Sequence, residues 1–167
     1  MDTKAGRLAS SSLRHHLAAI LSGGILAGAI DLVFAFTYHG LVSGARPTQI
    51  LQAIASGLLG REAFRSTFPA AAIGFAAHFL ILIVAAAMYY AASRRLTFLR
   101  THAYLSGMAF GIAIYCTMNY IVVPLSAAPA FKWSLPQVIS DFTVHMLLLG
   151  PAIALAIGYF DKAAARR

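Results

Sequence analysis

The chain is predicted to be all-α, an integral membrane four-helix bundle, from three observations. Hydrophobic residues make up 60% of its 167 residues and charged residues only 11%. Mean hydropathy is +0.76. Four apolar runs reach the roughly 20 residues that a helix needs to cross hydrocarbon. A water-soluble domain of this length has too little interior to hide so much apolar surface, so lipid must cover the surplus. The spans are read as residues 17–42, 68–92, 102–123 and 136–160. Only short connections remain, so the chain is read as a single transmembrane domain over 1–167.

The first span follows Lys4, Arg7 and Arg14. Its Ala27-Gly28-Ala29 has the small residues of a signal cleavage site, but the apolar pattern continues through Phe34 and Phe36, so the span is read as retained. Asp31 sits inside it. Residues 47–60 are too few to span; Pro47 at the start and Gly60 at the end mark a short interfacial helix. Its Ile50, Leu51, Ile54 and Leu58 form an apolar face opposite Gln49, Gln52 and Ser56. That helix is expected to lie along the membrane surface or to cover the bundle mouth as a lid.

The second span carries His78, and a short link with Arg94, Arg95 and Arg100 leads into the third. The third span holds Cys116, expected to pack, together with Asn119 and Tyr120. A proline-rich connection then places Lys132 and Trp133 at headgroup depth. Ser134 and Gln137 have the spacing of a capping box at the start of the fourth span. Asp141 and His145, four apart, therefore share one helix face and are expected to pair. Pro151 cannot donate a hydrogen bond to the Leu147 carbonyl and should kink the helix just past His145.

Charge distribution sets the expected topology. A net charge of +8 invites a nucleic-acid reading, but the basic residues form no stripe and cluster at the ends of the spans, so no nucleic-acid partner is expected. Nine of them flank the two termini and the second link, against four on the opposite side. Both termini are therefore expected in the cytoplasm. Glycines four apart, Gly24 with Gly28 and Gly107 with Gly111, and the series Gly150, Ala154 and Gly158, form stripes that allow close helix approach.

The polar residues fall in one layer. With about 1.5 Å of rise per residue, Asp31 lies about 16 Å, His78 about 15 Å, His145 about 13 Å and Asp141 about 8 Å from the far end of their spans. Asn119 and Tyr120, with Tyr38 and His39 of the first span, sit above them as accessory groups. A centrally placed charge costs about 3 kcal/mol to insert, so protonation or an imidazole partner is expected for Asp31. The chain also reads as a 2+2 tandem pseudo-repeat: Leu21-Ser22-Gly23 corresponds to Leu105-Ser106-Gly107, and His78 to His145.

The stretch Val123-Pro124-Leu125, then Leu135-Pro136, Ser140-Asp141 and His145, with the earlier Ala77-His78 and a later tyrosine, resembles the YagU-like group of uncharacterised bacterial inner-membrane proteins. The resemblance spans most of the four helices; the connection after the first span differs. It implies a multi-span helical fold in the bacterial inner membrane and brings no activity with it.

Three functional classes follow. The leading one is a small proton-responsive carrier or channel-like protein, with Asp31, His78, Asp141, His145 and Asn119 as its polar site. A second places haem or a divalent metal on His78 and His145. A third is an assembly or scaffold subunit, whose small-residue faces bind a second copy or another membrane protein. An enzyme is not expected, since the chain has no nucleophile elbow, phosphate loop or zinc-protease motif.

Overall fold

The computed structural model describes residues 2–130 and 134–165, with side chains from residue 13 onward except those of 162, 164 and 165. The expected headgroup anchors Lys132 and Trp133, and the charges of Lys4, Arg7, Lys162, Arg166 and Arg167, lie outside what is described. Helix α1 spans Asp2–Ser43, α2 Pro47–Leu59, α3 Thr67–Arg95 and α4 Thr97–Thr101. Helix α5 is Ala103–Leu125. Helix α6 runs from Leu135–Val144 through a π turn at His145–Leu149 into Gly150–Ala165. Four of these, α1, α3, α5 and α6, are long and apolar enough to cross a membrane. The all-α four-helix reading is the fold observed.

Local chemistry places the ends as expected. Helix α1 stops at Gly44, whose φ of 67° suits glycine. Pro47 opens α2, where the Arg46 N–H donates to the Gln49 side chain at 2.8 Å, and Gly60 at φ 59° closes it. Ser134 caps α6 by accepting from the Gln137 N–H at 3.4 Å.

Helix α1 packs along both α3 and α6, and α5 packs along α6, whereas α3 and α5 approach each other only sparsely. The tightly packed core occupies one half of the bundle. It is built from Ala19 and Ala27 of α1, Leu82, Ala85, Ala86 and Tyr89 of α3, Ile114 of α5, and Leu149, Ile153, Ala154 and Ile157 of α6. This half adjoins the end that carries Arg94, Arg95 and Arg100, here called the basic end. Large apolar side chains such as Leu17, Leu21 and Ile25 turn outward, as a lipid-facing surface requires. Toward the opposite, loop end the packing loosens: no residue of α6 from Leu135 to Leu148 is fully buried.

The basic end is tied by polar contacts. Arg94 of α3 pairs with Asp161 of α6 and lies 4.7 Å over the Tyr90 ring. His15 bonds the Phe160 carbonyl through Nε2 at 2.8 Å. Tyr89 reaches the Leu99 carbonyl at 3.0 Å and Ser106 Oγ at 2.7 Å. Ser106→Ala should therefore cost only about 1 kcal/mol, because the Tyr89 hydroxyl keeps the Leu99 carbonyl as acceptor. Thermal unfolding in detergent measures this, and a loss several times larger would show that Ser106 holds the α4 turn by itself.

Two expectations are corrected, for Cys116 and Gly158, and α2 shows which of its faces packs. Helix α2 buries Gln52, Ala55 and Ser56, its small and polar face, and turns Leu58 outward. The Gln52 amide nitrogen donates to the Ala63 carbonyl at 3.1 Å and the Ser66 carbonyl at 3.3 Å, which removes the cost of burying it. In a membrane the apolar face belongs outside. Cys116 is exposed on the bundle surface rather than packed. Gly158, unlike the other stripe glycines, faces open space, with nothing within 4 Å of where a Cβ would stand.

Candidate functional site

His78, on α3, is 6% exposed, and it is reached because α1 crosses α3 at small residues. A Cβ on Gly28 would lie 2.8 Å from the Phe79 ring, and one on Gly24 would lie 2.6 Å from the Ile83 Cα. This close approach brings the Gly28 carbonyl to 3.0 Å from His78 Nε2. A carbonyl only accepts, so Nε2 carries a hydrogen and donates it. The other ring nitrogen, Nδ1, lies 3.9 Å from Asp31 Oδ2, whose side chain is 22% exposed. That distance is just beyond a direct hydrogen bond and within reach of one bridging water. With Nε2 committed, Nδ1 is the ring atom that can gain or release a proton, and a carboxyl group faces it.

The expected pairing of Asp141 with His145 takes a different form. His145 Nδ1 donates to the backbone carbonyl of Asp141 at 2.8 Å, not to its carboxyl. The imidazole is thereby oriented with Nε2 as its remaining site, and the carboxyl is hydrogen-bonded instead by the Gln137 side chain. Asp141 lies within electrostatic range of His145, His39 and Asp31, so α1 and α6 meet electrostatically at this level. The carboxyl helps to line a cavity of about 100 Å³ together with Tyr115, Asn119, Tyr120 and Val138. The Asn119 amide nitrogen donates to the Tyr115 carbonyl at 3.0 Å, which leaves its amide oxygen as an acceptor. Tyr38 and His39 contact each other edge to face, with ring centroids 5.4 Å apart, and do not line this cavity.

The sequence-predicted layer is thus two neighbouring sites, Asp31 with His78 and Asp141 with Asn119, and His145 stands beside the second. Among the described residues no three His, Cys, Asp or Glu side chains converge as metal ligands. The Asp141 cavity takes no lining residue from α2. Helix α2 instead packs its Leu51 carbonyl on Gly74 of α3, and the Ala127 N–H donates to its Gly57 carbonyl at 3.0 Å.

Two π turns go beyond the sequence expectation. Met118–Val122 precedes Pro124 on α5, and His145–Leu149 precedes Pro151 on α6. Each proline stands two residues beyond its turn and withholds a backbone donor, so the helix accommodates it with wider turns rather than a simple kink. Asn119 and His145 both lie on these turns. Prolines at matching places in the two helices are the available signal, and the sequence reading takes only Pro151 as a distortion.

With Leu21 matched to Leu105, Asp31 falls on Tyr115. Asp31 faces His78, while the Tyr115 ring packs edge to face on His145 with centroids 5.6 Å apart. Each half therefore sets one side chain from its first helix against the histidine of its second. Comparison with family models, with curated proteins and with solved structures finds no match to this chain.

Proposed function

We propose that this chain is a small proton-responsive carrier or channel-like protein, with the Asp31–His78 pair as its proton-exchanging group. One observation carries the reading: a buried imidazole is oriented by the Gly28 carbonyl so that its titratable nitrogen faces a carboxyl across 3.9 Å. Either partner can hold the proton there, and both ionic forms are expensive when isolated in hydrocarbon. The uneven packing supports a directional arrangement. The loop half is loosely packed around Asp141, and the basic half is closed by the small-residue core and by the Arg94–Asp161 tie.

The resemblance to the YagU-like group supports a bacterial inner membrane, and the excess of arginine and lysine at the basic end supports cytoplasmic termini. In purified form, reconstituted into liposomes containing a pH-sensitive dye, the protein should dissipate an imposed proton gradient faster than protein-free vesicles. Gradient decay equal to that of empty vesicles, with the protein folded and inserted, would contradict the proposal.

A further inference from the structure

The charge around Asp141 does not balance. Its neighbours are the imidazoles of His145 and His39, a second carboxyl, Asp31, and the Gln137 side chain, a neutral hydrogen-bond partner that brings no charge, with Tyr115 and Tyr120 on the α5 side. The ion pairs among the described residues do not include it. The described arginines sit at the two ends of the bundle, outside this layer. A carboxylate at this depth in low dielectric needs a positive partner or a proton.

The lining says what kind of cation fits. A divalent ion takes a shell of several oxygen ligands, usually with more than one carboxylate, and no three His, Cys, Asp or Glu side chains converge among the described residues. Asp141 and the Asn119 amide oxygen supply two acceptors for N–H donors, and two tyrosine rings supply aromatic surface of the sort that attracts a diffuse cation. A volume of about 100 Å³ is smaller than the roughly 150 Å³ of an engineered cavity that takes benzene. That is room for an ammonium group with one or two carbons and too little for a bulky quaternary ion.

We propose that the cavity formed by Tyr115, Asn119, Tyr120, Val138 and Asp141 is a binding site for a small monovalent alkylammonium ion. This rests on reading the polar layer as functional and names a substrate class for it. The ammonium donates to Asp141 and to the Asn119 amide oxygen, and its alkyl part lies against Tyr115 and Tyr120.

Calorimetric titration of the detergent-solubilised full chain with ethylammonium chloride tests the assignment at constant pH and ionic strength. Saturable binding is expected with a dissociation constant on the order of 1 mM, near the ceiling for so small a ligand. Tetraethylammonium and sodium should give no such heat. Asp141→Asn should weaken binding about tenfold or more through loss of the charge-assisted hydrogen bond. Val138→Trp, which fills the cavity and leaves the charge in place, should do the same in protein that elutes as wild type. Proton flux without ethylammonium binding overturns this site and leaves the proton reading standing; binding without flux does the reverse. Equal heats from sodium, or unchanged binding in Asp141→Asn, also overturn it.

Discussion

Gly150→Val should prevent the bundle from folding, whereas Gly158→Val, eight residues on along the same helix, should be nearly silent. A Cβ on Gly150 would lie 2.0 Å from the Gly107 carbonyl oxygen and 2.5 Å from the Gly111 nitrogen. Both are backbone atoms of a packed helix, so no side chain can swing away to relieve the clash. Gly111 is equally constrained from the other direction, since its Cβ would meet the His145 carbonyl oxygen at 1.9 Å. Overpacking a core costs about 1–3 kcal/mol where neighbours can adjust. Here α5 and α6 would have to separate, so a cost above about 3 kcal/mol is expected. Gly158 has nothing within 4 Å. Size-exclusion profiles and thermal aggregation in detergent distinguish the two variants, and a well-folded Gly150→Val protein would mean that α5 and α6 do not cross at these glycines.

Asp31→Asn should reduce proton flux in liposomes about tenfold or more, the scale expected when a positioned proton acceptor is removed. The substitution keeps shape and polarity and removes only the ability to take up a proton. Because His78 Nε2 is held on the Gly28 carbonyl, the ring exchanges protons through Nδ1, and Asp31 is the carboxyl that faces that atom. His78→Asn should slow flux to a similar extent, and the double variant should be no slower than either single one, since the pair acts as a unit. Flux retained in Asp31→Asn would place the proton path elsewhere.

Much of the architecture is legible in composition and run length, because a helix that spans lipid must satisfy every backbone group internally and show an apolar surface. The polar layer is legible for the same reason: charge inside an apolar run is conspicuous, and helical rise converts sequence position into depth. Rise does not specify azimuth. The partner of Asp31 is the imidazole that its burial calls for, but the split between the two sites depends on how α1 and α5 face α6. Gly24 and Gly28 seat α1 on α3, while Gly107 and Gly111 seat α5 on α6; identical spacing in the sequence serves two different crossings.

The burial of α2 follows a rule that changes with solvent. A helix beside lipid gains by placing small and hydrogen-bonded groups such as Ala55 and Gln52 against its neighbour, with Ile50 and Ile54 half-buried and Leu58 exposed. The expectation for His145 fails for a more local reason. Spacing by four allows a bond to the Asp141 carboxyl, but the backbone carbonyl of the same residue also lies one turn back and accepts the ring nitrogen. Asp161 is absent from the sequence-predicted site, although an acidic residue at the end of a span on the arginine-rich side is a usable sign of its pairing with Arg94.

The most direct measurement is nitrogen NMR of histidine-labelled protein in lipid, with His78 assigned by its absence from His78→Asn. The expected spectrum shows Nε2 protonated and hydrogen-bonded, and an Nδ1 signal that moves when Asp31 is changed to Asn while Nε2 stays in place. An Nδ1 signal identical in wild type and Asp31→Asn, or a ring protonated on Nδ1 alone, would contradict a proton shared between these two side chains.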